Sequence, residues 1–230
     1  MPPLRTRSKP LNRHLRAAPQ LFERLRERII ALDLPPGAPL SRVELMAEFG
    51  TSVTPIRDAL LRLAEEGLVE IYPQHATVVS RIDLAQAAQT QFLRRSIELE
   101  VAATLARAVD DAAFESLRAI LARHRAALDD LAEFKRLDMR FHEAMYEAAG
   151  VPDLWALVRS RSGHIDRLRA LHLPIAGKAR AILRDHGRIL DALEARNTPA
   201  AQRAVHEHLS GTLTQVAAIA KRHPDYLRQS

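Results

Sequence analysis

Asp138 and His142 stand four residues apart in the segment Leu137-Asp-Met-Arg-Phe-His-Glu-Ala-Met145. On a helix this spacing projects a carboxylate and an imidazole from one face, one turn apart. Leu137, Phe141 and Met145 share that face and turn it inward. His186 lies on a second apolar stripe (Ile182, Leu183, Ile189, Leu190, Leu193), and His208 borders a third (Val205, Leu209, Leu213, Val216). One carboxylate and three imidazoles meeting in a core would satisfy a divalent transition metal. The same residues also read as hydrogen-bonded core histidines beside a plain Asp–His pair. His206 is two positions from His208, so the two cannot face one interior.

Such residues need helices to carry them. From Asp83, which reads as a helix cap, to Lys221 the pattern is about six amphipathic helices. They break near Asp110-Asp111, Asp129-Asp130, Gly150 to Pro152, Pro174 to Gly177 and Asn197 to Pro199. There is no strand signal and no internal repeat. This length of helix makes an independent antiparallel bundle, and bundles place ligand sites between facing helices.

The preceding segment has another pattern. Leu21, Phe22, Leu25, Ile29, Ile30 and Leu32 form one helical stripe, ended by Pro35-Pro36-Gly37. Ser41 stands three residues before Glu44, a capping-box signal for a short helix through Phe49. Gly50 suits a tight turn. Ser52 or Thr54 can then cap a further helix with Pro55 in its first turn, burying Ile56, Leu60, Leu63 and Ala64. Gly67 ends it, and Leu68–Ile71 with Thr77–Val79 read as a two-stranded wing.

That order predicts a winged helix-turn-helix, with the N-terminal end of the third helix entering a DNA major groove. Candidate DNA contacts are Arg42, Ser52, Thr54, Pro55 and Arg57, with Gln74 and His75 at the wing tip. Arg57 also reads as a solvated charge or a partner of Asp58 or Glu65, and Ser52 and Thr54 as caps alone. The predicted fold class is therefore mainly α: an N-terminal winged helix-turn-helix plus a C-terminal antiparallel helical bundle. The predicted division is a flexible basic arm over 1–18, the DNA-binding domain over 19–80 and the helical domain over 83–222. The joint near Ser80 to Asp83 is the expected place for reorientation.

Composition narrows the alternatives. The 230 residues are 47% hydrophobic with only 8 glycines, which argues for a folded, helix-rich chain. Aromatic content of 4% disfavours a stacking surface for single strands. The absence of cysteine excludes disulfides, thiolate metal sites and a cysteine nucleophile, and is compatible with a reducing cytoplasm. No apolar run is long enough to span a membrane. The first residues lack the apolar core of a signal peptide, and Pro2, Pro3, Pro10 and Pro19 spoil an amphipathic transit helix. A net charge of +6 and pI near 10.2 favour a polyanionic partner. Arg5, Arg7, Lys9, Arg13 and Arg16, with no acidic residue before Glu23, make the arm a candidate for phosphate or minor-groove contact.

The Pro-Pro-Gly turn, the helix Glu44-Leu-Met-Ala-Glu-Phe-Gly50 and the run Thr54-Pro-Ile-Arg-Asp-Ala-Leu-Leu-Arg-Leu-Ala-Glu-Glu-Gly-Leu-Val69 resemble the DNA-binding domain of GntR-family bacterial transcription regulators. Val53 stands where many members carry arginine, Ala76 replaces the usual wing glycine, and Arg42 stands where an acidic residue is commoner. These departures bear on the operator sequence. Asp138-Met-Arg-Phe-His142, His186 before Ile189-Leu190, and Ala204-Val-His-Glu-His208-Leu209 are similar to the ligand-binding domain of the FadR-type (FCD) branch, in its shorter VanR-like form.

The resemblance implies a cytoplasmic, homodimeric, ligand-responsive repressor on double-stranded operator DNA, with no membrane partner. It also implies that Asp138, His142, His186 and His208 hold a divalent metal, zinc first, with nickel, manganese or iron as alternatives. A small organic acid would complete the metal's coordination, with Arg94 pairing with its carboxylate; Arg94 reads equally as a surface charge paired with Glu98 one helical turn on. His164, on the flank of Leu157, Ile165 and Leu168, is a further effector candidate from the residues themselves, and reads equally as a hydrogen-bonded core histidine. The rival readings are a DNA-binding dimer with a purely structural bundle and a metal-dependent hydrolase. Against the hydrolase stand the absence of a spare Glu in an obvious motif, the lack of a nucleophile constellation and the complete winged-helix segment.

Overall fold

The computed structural model describes residues 10–12, 14–108, 111–175 and 177–228. They fall into two units, one made of the residues up to Leu84 together with those from His223, the other of Ala85–Arg222. Most of the expected basic arm lies outside the described residues.

In the first unit the stripe Leu21, Phe22, Leu25 and Ile29 forms the buried face of α1 (Ala17–Ile30). This helix starts inside the segment assigned to the arm. Residues 10–12 lie along it, where the Gln20 side chain exchanges hydrogen bonds with the Asn12 backbone and the Arg24 guanidinium donates to the Pro10 carbonyl. The Ser41 hydroxyl accepts from the Glu44 amide at 3.3 Å and caps α2 (Arg42–Phe49). Gly50 takes a left-handed backbone, φ 61°, which a side-chain-bearing residue adopts only with strain. The chain then enters α3 (Val53–Glu65), which buries Ile56, Ala59, Leu60 and Leu63.

Two antiparallel strands follow, β1 (Val69–Tyr72) and β2 (Ala76–Val79), paired Val69 with Val79 through Tyr72 with Ala76. The Pro-Pro-Gly turn lays the next residues along the other side of β2. There the Leu40 amide donates to the Thr77 carbonyl and the Val79 amide to the Ala38 carbonyl, at 2.7 and 2.9 Å. The core joins all three helices to the wing through Leu34, Leu40, Leu45, Phe49, Leu68, Val69 and Val79.

One element of this unit has no local cause. Ile82, after the wing, pairs in parallel with Leu227. The Ile82 amide donates to the Tyr226 carbonyl at 2.8 Å, and the Arg228 amide to the Ile82 carbonyl at 2.9 Å. Ile82 and Leu227 are buried, and Arg228 pairs with Asp83 at 3.3 Å. Leu227→Asp is expected to cost about 2 kcal/mol, within the range for losing a buried aliphatic side chain. The checks are a melting midpoint lowered by several degrees and lost hydrogen-exchange protection at the Ile82 amide. Unchanged protection would show that the bridge does not hold Ile82.

Among the described residues the second unit is all helix: α4 (Leu84–Ala108, its first residue in the first unit), α5 (Asp111–Ala126), α6 (Leu131–Ala148), α7 (Pro152–Arg161), α8 (Gly163–His172), α9 (Lys178–Glu194), α10 (Thr198–Ser210) and α11 (Val216–Arg222). The stretch between Pro152 and Pro174 is two helices, divided at the buried Ser162. That break carries no proline and was not legible as one. Asp130 caps α6 and Asn197 caps α10 through their side-chain oxygens. α5 packs on α6 and α9, and α9 on α10. The core runs through Phe114, Leu117, Phe134, Phe141, Ile189, Leu193 and Val205.

Candidate functional site

The apolar stripes of α6, α9 and α10 converge, and the polar residues interrupting them converge with them. Asp138, His142, His186 and His208 each offer one ligand atom, all lying within 4.8 Å of one another. All four side chains are buried. His142 Nε2 lies 3.2 Å from His208 Nε2, His186 Nε2 lies 3.3 Å from the same atom, and Asp138 Oδ1 lies 3.5 Å from His186 Nε2. Zinc bonded tetrahedrally at 2.0–2.1 Å separates its ligands by about 3.3 Å, so these separations fit.

Protonation agrees with that geometry. Burial alone would push the Glu98 carboxyl up, but Arg94 and His142 beside it hold it at about 2. Glu98 is therefore ionised and accepts from His142 Nδ1 at 2.8 Å, which leaves the Nε2 lone pair aimed at the cluster. Burial also pushes His142 down to about 4 and His186 well below its ordinary value, against the pull of nearby carboxylates. Burial opposes ionisation of Asp138 too. The Arg169 guanidinium, together with His186, His142 and His208, outweighs it and holds that carboxyl well below its usual range.

Arg169 Nη2 donates to Asp138 Oδ2 at 2.6 Å, so only Oδ1 is turned toward the histidines. Asp138 Oδ1, His186 Nδ1, His208 Nδ1, Arg94 Nη2 and the Tyr146 hydroxyl are all buried with no hydrogen-bond partner. Such atoms are costly unless something polar meets them. A buried cluster of three imidazoles and one carboxylate could hold a divalent transition metal.

Around the cluster α4 supplies a polar stripe. Thr90, Gln91, Arg94 and Glu98 are buried where an ordinary core helix would place apolar residues, and Val101, Ala102 and Leu105 continue it. Gln91 donates to the Leu209 carbonyl at 2.6 Å, tying α4 to α10 beside His208. Arg94 Nε donates to Glu98 Oε1 at 2.6 Å. The expected competition for Arg94 is thus visible: Glu98 takes one edge, and the buried Nη2 remains. His164 is outside the four-residue cluster, on α8, with Nδ1 3.0 Å from Arg167 Nη2. Burial lowers the Arg167 guanidinium to about 10. Asp166 on the same helix pairs with Arg159 and lies 3.7 Å from Arg169.

Sequence reasoning missed Glu98, Asp185 and His124. Glu98 follows Arg94 by one helical turn and reads as half of a surface ion pair. The signal that could have found it is its place on the stripe Arg94, Glu98, Val101, Leu105.

In the first unit the candidate DNA contacts fall on the three elements a winged helix uses. Ser52, Thr54 and Arg57 are exposed at the start of α3, with Pro55 half-buried among them, and Arg42 opens α2 exposed. Ser52 occupies the N-cap position but its side chain makes no capping hydrogen bond, so the expected capping role is not seen. Its backbone is extended there, and the hydroxyl stays exposed. Arg57 lies 3.6 Å from Asp58, with 62% of its side chain exposed. Gln74 and His75 are exposed at the turn between β1 and β2, Gln74 with φ 62°.

A three-helix winged unit joined to a helical unit with a buried His/Asp cluster is the architecture of a DNA-binding transcription regulator. Residues 17–79 match the bacterial regulatory proteins of the gntR family and residues 89–211 match the FCD domain; the chain belongs to the GntR family and carries an FCD domain. It is 36% identical to an HTH-type transcriptional regulator in an unstable DNA locus of Streptomyces ambofaciens, over 89% of this chain and 87% of that one. It is 30% identical to the HTH-type transcriptional repressor RspR of Escherichia coli K12, over 91% and 93%. E. coli McbR/YncC shares the fold at a TM-score of 0.75 and 21% identity, over 91% of this chain and 99% of that one. The family is one of regulators rather than enzymes. No helix among the described residues is long and apolar enough to cross a membrane.

Proposed function

We propose that this chain is a homodimeric repressor that reports a small carboxylic acid to operator DNA through a divalent metal in its helical unit. Asp138, His142, His186 and His208 hold the ion. Bound there, the metal supplies a positive charge open to an anionic oxygen donor, because its protein ligands carry a net charge of only −1. Arg94 presents Nη2 to the effector's carboxylate while Glu98 fixes its guanidinium, and His164 on α8 is a second polar contact. Asp138 keeps Oδ1 toward the ion because Arg169 occupies Oδ2. On the DNA side, Arg57, Ser52, Thr54 and Pro55 meet the major groove, Arg42 the backbone, and Gln74 and His75 the adjacent phosphates or minor groove.

The observation that carries this reading is the convergence of four ligand atoms in a buried core ringed by unsatisfied polar atoms. The repressor assignment is supported by RspR and by NanR of Cronobacter sakazakii, a relative 27% identical over 87% of this chain, both named repressors. An effector changes operator affinity only by binding the DNA-competent and DNA-incompetent states unequally.

The test is elemental analysis of untagged protein prepared without chelators, followed by operator-binding titrations against a panel of small carboxylic acids. The expected result is near-stoichiometric metal and at least one acid that shifts operator affinity about tenfold, a coupling of ordinary size, in loaded but not stripped protein. Protein that stays empty after incubation with zinc or nickel would return the four residues to core hydrogen bonding.

A further inference from the structure

A metal-bound imidazole turns one nitrogen to the ion, and its other N–H needs an acceptor behind it to fix tautomer and ring orientation. Two of the three clustered histidines have a carboxylate in that place. His142 Nδ1 is hydrogen-bonded to Glu98 at 2.8 Å, and His208 Nδ1, without a hydrogen bond, faces Asp185 Oδ2 at 3.6 Å. His186 has neither: its Nδ1 is buried with no hydrogen-bond partner.

Four rings surround it. Phe141 stacks on it at 4.3 Å and is apolar; His142 and His208, at 5.1 and 4.6 Å, point their Nε2 atoms into the cluster. The fourth is His124 on α5, its centroid 5.3 Å away. His124 is fully enclosed, and neither of its nitrogens has a hydrogen-bond partner. The Phe134 ring lies against it at 4.0 Å. The two rings are not hydrogen-bonded as they stand, but at a centroid separation of 5.3 Å a turn that puts one nitrogen of each on the line between them brings those nitrogens to about 3 Å, ordinary hydrogen-bond distance.

We infer that His124 is the positioning residue of this site: it accepts the Nδ1 proton of His186 and thereby turns His186 Nε2 toward the metal. One hydrogen bond satisfies two buried polar groups that are otherwise orphaned side by side, and all three ligand histidines then have a polar partner behind them. The inference rests on the metal reading above. Its consequence is that α5, which contributes no ligand, sets how well the ion is held.

The experiment titrates metal-free protein with Co2+, read by its visible absorption. It compares the native chain with His124→Leu, which removes the acceptor, and with His124→Asn and His124→Gln, which restore an amide oxygen near each ring nitrogen. His124→Leu is expected to weaken Co2+ binding about 10- to 100-fold, as losing an outer hydrogen-bond partner does. At least one amide variant should stay within about threefold of native on the same measure. A 15N-edited spectrum of native protein should show His186 carrying its proton on Nδ1, a readout independent of any variant's folding. Native protein that takes up no Co2+ overturns the metal reading and this inference together. Native uptake with His124→Leu unchanged, or with His186 protonated on Nε2, overturns the role of His124 alone. Equal weakening in all three variants with native-like melting also overturns the hydrogen bond.

Discussion

His186→Ala is expected to empty the helical unit of metal while leaving operator binding in place. The loss should exceed the about 10- to 100-fold that follows removal of an outer partner, because His186 supplies a ligand atom at the centre of the cluster, 3.3 Å from His208 Nε2 and 3.5 Å from Asp138 Oδ1. The same side chain is fully buried and stacks on Phe141. Truncation therefore leaves a cavity costing about 2–4 kcal/mol, a sum a two-unit protein of this size should tolerate. Metal per chain, helicity and operator affinity must be measured on one preparation. Metal lost with helicity and DNA binding retained separates the sensor from the reader. Loss of all three would make the cluster a folding requirement, and metal retained at the native level would remove His186 from the ligand set.

The second large effect lies in the other unit. Operator affinity is expected to fall about a thousandfold or more between 50 and 200 mM salt, the drop for a protein neutralising roughly six phosphates. A flat log–log plot would count against groove binding. Arg57→Ala is expected to weaken binding by about 1–3 kcal/mol without lowering the melting midpoint. Its guanidinium is largely exposed and its contact with Asp58 spans 3.6 Å, and pairs of that kind contribute little to stability. The salt slope then identifies the contact. A slope smaller by about one assigns Arg57 to a phosphate, and an unchanged slope with relaxed sequence preference assigns it to a base edge. Unchanged affinity would take it off the contact surface.

The winged helix was legible residue by residue because its signals are short-range. Ser41 and Glu44 set a cap, Gly50 a left-handed turn and Gly67 the end of α3. Each acts over a few residues, and the structure shows each in place. The wing came out one residue displaced at β1, and the capping hydrogen bond assigned to Ser52 is absent, since nothing local forces that hydroxyl onto the backbone. In the helical unit, periodicity put Asp138 and His142 on one face and His186 and His208 on others. It could not say that those faces meet.

The amino-acid sequence by itself determined which segments are helix (apart from the breaks at Ser162 and after Ser210), where the wing turns and which polar residues interrupt apolar stripes, because helix period, caps and turns are properties of neighbouring residues. Tertiary structure alone decided that Glu98 stands behind His142, that His124 lies beside His186, and that Leu227 pairs with Ile82. Those partners are 44, 62 and 145 positions apart along the chain. A buried polar atom's partner depends on which helix faces pack together, and side-chain types and spacing along one segment carry no record of that choice.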